Sequence, residues 1–243
     1  MRALLLAAGL GTRLRPITNT IPKCMVPING RPLIDYWFEL LFAAKFERVL
    51  VNIHYFPDVV RTHIAASPWR DQIDIAHEHE LLGTGGTIVA NRAYFGDQDF
   101  LVAHADNLTD VDLAAFARAH RERPTDTAMT MLAFRTDDPS SCGILEYDPA
   151  GRVIAFHEKV ANPPGNLANA AVYIVTPEVA DFAVAIGKPF VDLSTEVIPH
   201  FVGRIYAVET LGYHRDIGNP ESLARAQAEF RSGESAGIAL LTR

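Results

Sequence analysis

Three observations predict an α/β protein built on a mixed central sheet. Short apolar runs alternate with longer helical patterns over roughly the first 125 residues. Closely spaced strand patterns then follow one another, which reads as a partly antiparallel lobe. The chain has 243 residues, 49% of them hydrophobic, enough for a sizeable single core.

Each element has its own signal. The apolar runs Arg2–Ala7, Arg48–His54, Ile73–His79 and Phe100–His104 read as strands. Helical patterns fall between them at Pro32–Lys45, Pro57–Ala66, Thr84–Tyr94 and Asp110–Arg121, and Pro32 suits a first helical turn. In the second half, Thr127–Phe134, Gly143–Tyr147, Val153–His157 and Ala168–Val175 read as strands, with Asp148-Pro-Ala-Gly151 turning between two of them. Thr176–Ile186, Ser194–Val202 and Pro220–Phe230 read as helices, and Arg204–Glu209 as a further strand. The tail, 232–243, is small and weakly patterned and is expected to fray or make a local contact.

Bulk properties narrow the function. The net charge is −7 and the pI about 5.7, which argues against nucleic-acid and membrane-surface binding, since both need a broad basic face. No apolar stretch approaches the length of a membrane span. Gly9 to Arg15 interrupts the apolar start, so a secretory signal is not expected. Cys24 and Cys142 lie far apart without metal spacing and read as free thiols in a reducing cytoplasm.

The segment Leu6-Ala-Ala-Gly-Leu-Gly-Thr-Arg-Leu-Arg-Pro-Ile-Thr18 carries the chemistry. A strand opens into a loop whose Gly9 and Gly11 let backbone N–H groups approach a ligand. Thr12 adds a hydroxyl, and Arg13 a fork of donors that fits phosphate oxygens. Position 14 is Leu rather than the third glycine of a dinucleotide fold, which counts against an oxidoreductase, and the chain has no Walker Gly-Lys-Ser/Thr. Taken alone, the glycines also suit a plain turn after the first strand.

The loop together with Pro22-Lys-Cys-Met-Val-Pro-Ile28 resembles the signature of the sugar-1-phosphate nucleotidyltransferases, the NDP-sugar pyrophosphorylases. The resemblance runs from residue 1 to about 230, with its motifs in family order, and is nearest in look to the mannose and manno-heptose 1-phosphate guanylyltransferases. It implies a Rossmann-like three-layer nucleotidyltransferase fold with a mixed central sheet and a small antiparallel sugar-binding lobe. The implied catalytic domain is 1–231, its nucleotide part about 1–125 and its sugar-phosphate part about 126–231. Arg13 and Lys23 would neutralise the triphosphate, while Leu6, Ala8, Gly9, Gly11 and Thr12 would wrap the nucleotide. Cys24 departs from the family's usual proline, and Ala8 from a frequent glycine. No hexapeptide array follows residue 230, so the acyltransferase domain of longer relatives is not expected.

Two carboxylates fit such a reaction. Asp106 ends the apolar strand of Phe100-Leu-Val-Ala-His-Ala-Asp106, where ligands bind in open α/β sheets. Asp216 lies in Tyr213-His-Arg-Asp-Ile-Gly-Asn-Pro-Glu221. By itself each also reads as a turn or cap before a helix. The resemblance makes both Mg²⁺ ligands, and hard oxygen donors suit that ion. They stand 110 residues apart, so only the fold can unite them.

On the sugar side, Glu158-Lys159 after a strand reads as a solvated pair. The resemblance implies Glu158 at sugar hydroxyls and Lys159 at the sugar phosphate, with Val160 in place of a family proline. It likewise implies sugar contacts for Asn169 and the backbone of Gly143, and puts Ala171 where glycine is usual. The stretch from His77 through Glu78, His79, Glu80 and Gly83 to Gly86 should line the base. Strand alternation sets His77 and His79 on one face, away from a metal-binding His-Glu-x-x-His arrangement. A carboxylate can accept both donors of guanine's pairing edge, so Glu78 points to GTP, with UTP as the rival.

The implied reaction needs little covalent chemistry from the protein. The attacking group is already an ionised phosphate oxygen, so no general base is required. Catalysis reduces to positioning, worth roughly 7–11 kcal/mol, and charge neutralisation by Mg²⁺, Lys and Arg. The expected partners are an NTP and a sugar 1-phosphate, without nucleic acid or membrane, in a cytoplasmic monomer or homodimer. A non-catalytic sugar-nucleotide-binding regulator is the alternative; the presence of Arg13, Lys23, Asp106, Lys159 and Asp216 argues against it.

Overall fold

The computed structural model describes residues 1–231, 233 and 236–241. Strand β1 (Arg2–Leu6) opens into three 3-10 turns between Thr12 and Met25. A hairpin of β2 (Pro27–Ile28) and β3 (Arg31–Pro32) then leads into α1 (Leu33–Ala43). Asn29 and Gly30 turn that hairpin at φ 50° and 81°, as a tight two-residue turn requires. Strands and helices alternate through β4 (Arg48–Ile53), α2 (Pro57–Ala66), β5 (Ile73–His77), α3 (Gly83–Ala90) and α4 (Arg92–Phe95). Next come β6 (Phe100–His104), β7 (Asn107–Thr109), α5 (Leu113–Arg121) and β8 (Met129–Arg135). Strands β9 (Gly143–Tyr147), β10 (Val153–Glu158) and β11 (Leu167–Val175) lead into α6 (Pro177–Ala185). The chain finishes with β12 (Ile205–Thr210), β13 (His214–Asp216), α7 (Pro220–Glu229) and β14 (Ile238–Leu240).

Ten strands form one twisted sheet, with the path β14-β12-β8-β11-β6-β1-β4-β5 and β9–β10 attached beside β11. Strands β1, β4, β5 and β6 are parallel, with Leu5 opposite Val51 on one side and Ala103 on the other. The direction reverses at β11, which runs antiparallel to both β6 and β8. The sheet is therefore mixed, as the sequence predicts.

Alternation within the strands separates two cores. Ala3 and Leu5 face Trp37, Phe38 and Phe116, while Leu4 and Leu6 face Ile88, Phe100 and Phe201. Helices thus cover both faces, which makes three layers. A third, smaller core joins Leu14 and Ile28 to Leu108, Ile217, Leu223 and Phe230. It fastens the loop after β1 to β7, β13 and α7.

The differences from the sequence reading have local causes. The pattern over Thr84–Tyr94 breaks at Asn91, whose side chain bonds the Thr87 carbonyl at 2.8 Å and divides α3 from α4. Ser194–Val202, expected as one helix, is a π-helical turn over Leu193–Val197 followed by a 3-10 turn over Ile198–Phe201. Asp192 caps the first turn by accepting from Thr195 N at 3.0 Å, and Pro199 lacks the N–H that would continue an α-helix. In the tail, expected to fray or make a local contact, Ile238–Leu240 makes a contact as a further strand at the sheet edge against β12. Strands β7 and β13 are too short to show as runs in the sequence, yet they pair antiparallel with Asp216 opposite Asn107. No helix among the described residues is long and apolar enough to cross a membrane.

Helix α1 holds β7 through Trp37, which is 1% exposed and donates its indole N–H to the Asn107 carbonyl at 2.8 Å. Trp37→Phe keeps most of the buried ring and leaves that carbonyl unpaired, at an expected cost of about 1–3 kcal/mol. Urea unfolding measures this, and an unchanged midpoint would contradict it.

Candidate active site

The loop after β1 is shaped by close approach. Gly11 lies in the left-handed region at φ 61°, and a Cβ there would meet Thr18 Cγ2 at 3.0 Å and Lys23 Cβ at 3.1 Å. The Gly11 carbonyl accepts from Leu14 N at 3.0 Å and from Thr18 Oγ1 at 2.7 Å, which closes the turn. Leu14 is buried in the third core while Arg13 points outward, its side chain 70% exposed. Lys23 runs the opposite way and is only 8% exposed.

The Lys23 ammonium joins the two acids that the sequence leaves 110 residues apart. It donates to Asp106 Oδ2 at 2.6 Å and to Asp216 Oδ1 at 2.8 Å. The other Asp216 oxygen lies 3.9 Å from the Arg13 guanidinium. The antiparallel pairing of β7 with β13 creates this meeting, aided by Ile217 N donating to the Asp106 carbonyl at 3.3 Å. Gly218 makes room for it: a Cβ there would stand 2.7 Å from Asp216 Oδ2 and 2.8 Å from Arg13 Nη2. Burial works against both charges of the pair. Burial alone would lower Lys23, but the two carboxylates hold its ammonium above the ordinary value. Burial alone would raise Asp106, but the Lys23 charge holds its carboxyl below the ordinary value. Next to Lys23, burial pushes the Cys24 thiol up to about 12, which makes it inert.

A cavity of about 250 Å³ opens beside this cluster. Arg13, Asp106, Asp216, Gly143, Glu158, Lys159 and Asn169 are among its lining residues. All seven residues were singled out in the sequence, and the fold brings them onto one surface. Gly143 is opposite Glu158 in the β9–β10 pair, and a Cβ at 143 would be 2.7 Å from Glu158 Oε2 and 2.6 Å from Phe156 Cζ. The glycine therefore gives that carboxylate its place. Lys159 at φ 50° and Ala171 at φ 54° both hold left-handed backbone. A non-glycine residue there costs on the order of 1–2 kcal/mol, so Ala171 strains the backbone as well as narrowing the wall. A second cavity of about 500 Å³ shares Arg13, Cys142, Lys159 and Asp216 with the first and extends to Arg135, Asn219 and Arg225.

Leu6, Ala8, Gly9, Gly11, Thr12, Glu78 and Gly83 lie outside the lining of these two cavities. Gly9 has no atom near a built Cβ, and Gly83 turns at φ 79°. Glu78, 6% exposed, is tied inward. Its Oε1 accepts from Asn52 Nδ2 at 2.9 Å and Thr87 Oγ1 at 2.6 Å, while Asn52 Oδ1 accepts from Ala7 N at 2.6 Å. Oε2 accepts from Leu82 N at 3.5 Å. The His77 and His79 rings sit 4.5 Å apart, and no cluster of three metal-ligating side chains occurs among the described residues.

The sequence gives no role to several lining residues, among them His104, Ser194 and His214. His214 could have been noticed, since it shares a strand face with Asp216 two residues on. Burial pushes its imidazole down to about 3, so it stays neutral, and its ring lies 4.6 Å from that of Phe134.

The fold is an α/β one with cations and carboxylates gathered near the carboxyl ends of its parallel strands. The Nucleotidyl transferase family model matches residues 2–233, so the chain belongs to that family. A mannose-1-phosphate guanylyltransferase of Mycobacterium tuberculosis is 32% identical over 98% of this chain and 67% of its own length. A UTP–glucose-1-phosphate uridylyltransferase of Synechocystis is 31% identical over 83% of this chain and 55% of its own. The chain thus spans about half to two thirds of these relatives. The crystal structure of HddC from Yersinia pseudotuberculosis, complexed with GMP-PN, superposes with a TM-score of 0.78. It is 28% identical and covered to 99%, against 95% of this chain.

The ion cluster has a definite pH dependence. The lowered Asp106 contributes stability above its unfolded pKa of about 3.9, lost as pH falls through the folded value. The raised Lys23 contributes below about 10.4, lost as pH rises through its folded value. Asp106 keeps 35% of its side chain exposed, so solvent screening reduces the effect. Lys23→Met should cost about 1–2 kcal/mol at pH 7, and the gap to wild type should narrow below about pH 4. Urea unfolding at both pH values tests this; an equal gap would place the loss elsewhere.

Proposed function

We propose that the protein transfers a nucleotidyl group from an NTP to a sugar 1-phosphate, giving an NDP-sugar and pyrophosphate. The observation that carries this is the meeting of Asp106, Asp216, Arg13 and Lys23 beside a cavity that Arg13, Asp106 and Asp216 line together with Glu158, Lys159 and Asn169. Cations and carboxylates without a nucleophile–base pair suit phosphoryl chemistry between two polyanions. On this reading residues 1–125 serve the nucleotide and 126–231 the sugar phosphate.

The donor set fits Mg²⁺. Two carboxylates converge on one cation, and this ion is commonly held by one or two carboxylates with substrate phosphates completing its shell. Asp106 and Asp216 would hold it, and when bound it would neutralise phosphate charge at the reacting centre. The chain's own groups do the remaining work. Lys159 holds the sugar phosphate and Glu158 and Asn169 orient the ring. The sugar phosphate oxygen attacks the α-phosphorus in line, a new P–O bond forms, and the bond to the β-phosphate oxygen breaks. Arg13 and Lys23 take up the charge of the departing pyrophosphate. No proton is moved, so no general base is needed.

The preferred substrates are GTP and a mannose or manno-heptose 1-phosphate. The guanylyltransferase relative supports this. The uridylyltransferase relative supports a second reading, UTP with a glucose or amino-sugar 1-phosphate.

Pyrophosphate release over four nucleotides and several sugar 1-phosphates tests both readings, with turnover expected to be highest for GTP. UTP or dTTP outcompeting GTP would overturn the base assignment. Lys23→Ala and Asp106→Ala should each lower kcat by on the order of 10²–10³ while the protein stays folded by circular dichroism. Wild-type release in either would defeat the mechanism. Asp216→Asn should shift the Mg²⁺ titration to higher concentration; an unchanged curve would remove its role.

A further inference from the structure

The Leu82–Gly86 turn makes a specific contact with the other half of the site. Gly85 N and Gly86 N both donate to the Val191 carbonyl, at 2.8 and 3.0 Å, and Val191 N donates back to the Leu82 carbonyl at 3.0 Å. The glycines exist partly for this contact. A Cβ on Gly83 would stand 2.5 Å from Val191 O, and one on Gly85 2.7 Å from Val191 Cγ1. Thr84 completes the clasp: its Oγ1 accepts from Leu193 N at 2.8 Å and donates to Asp192 Oδ2 at 3.3 Å. Five hydrogen bonds therefore join the base-side turn to the segment 191–193.

Ser194 is the next residue. It stands in the π-helical turn Leu193–Val197, a rare form of helix that is frequent at functional sites. Leu193 and Val197 are buried on either side of it, while Ser194 lines the cavity that holds Glu158 and Asn169. Its hydroxyl also meets the Tyr173 phenol, which accepts from Asn169 Nδ2 at 2.7 Å. A small hydroxyl, able to donate and accept, thus stands beside the residues proposed to orient the sugar.

We propose that Ser194 contacts a ring hydroxyl of the sugar 1-phosphate and that Thr84, from the nucleotide side, positions it. The inference rests on the proposed nucleotidyl transfer. It adds a specificity-determining residue and a mechanical link between the two substrate sites. Loss of one such hydrogen bond corresponds to roughly a three- to tenfold change in binding.

The test compares KM for each substrate in steady-state pyrophosphate release. Ser194→Ala should raise KM for the sugar 1-phosphate about fivefold and leave KM for the nucleotide within about twofold. Thr84→Val should show the same pattern although it lies in the nucleotide-side turn, and Thr84→Ser should restore wild-type values. A merely structural role would lower the melting temperature without separating the two KM values. An unchanged sugar KM in Ser194→Ala overturns the contact. A Thr84→Val variant that weakens the nucleotide alone, or both substrates equally, overturns the positioning role. Wild-type protein that turns over no substrate pair defeats the proposed function itself, and the inference with it; wild-type turnover combined with flat variants defeats the inference alone.

Discussion

The site depends on one ammonium group held between two carboxylates. Two acids brought together at the edge of a protein core need a compensating charge if both are to stay ionised. Lys23 supplies it from a third part of the chain and is itself almost fully buried in doing so. The consequence is mechanical as well as electrostatic. The loop after β1 is fastened at once to the end of β6, through Asp106, and to β13, through Asp216. The small core around Leu14, Leu108 and Ile217 closes beneath it. Gly11 and Gly218 are the places where a side chain would push this assembly apart.

The second organising fact is where the sheet changes direction. Strands β1 and β6 are parallel and deliver Arg13, Lys23 and Asp106 from their carboxyl ends, the usual place for ligands in such sheets. Strand β11 runs antiparallel beside β6 and carries Asn169 and Ala171 back across the same opening. The β9–β10 pair, hung from β11, adds Gly143, Glu158 and Lys159. Charged and polar groups thus meet at one sheet junction, as the proposed pair of substrates requires. Left-handed backbone at Lys159 and Ala171 marks where the chain is bent hardest to achieve it.

Much of the site is legible in the sequence because its residues sit in short, chemically unusual strings. Arg13, Lys23, Asp106, Glu158, Lys159 and Asn169 stand out next to glycines or at strand ends. Glu78 illustrates the limit. The stretch that holds it is expected to line a base, and one of its oxygens is bound inward to Asn52 and Thr87, residues from two other elements. The glycines of Leu82–Gly86 read as a ligand-facing turn, yet the carbonyl of Val191 occupies the space that their missing side chains leave. Ser194 lies in a stretch without a distinctive pattern and His104 ends an apolar strand that gives it no separate signal, and only the folded chain places both at the cavity.

By itself, the sequence determined the strand and helix alternation, the mixed sheet and the phosphate-ready loop. Each of these rests on spacings of a few residues, where side-chain periodicity and backbone freedom act directly. Tertiary structure alone decided that Asp106 and Asp216 share one lysine, that β14 joins the sheet edge and that the base-side turn grips the segment before Ser194. These contacts join residues tens to hundreds of positions apart. Their register is set by pairings such as that of β7 with β13, three residues long and too short to leave a pattern in the chain.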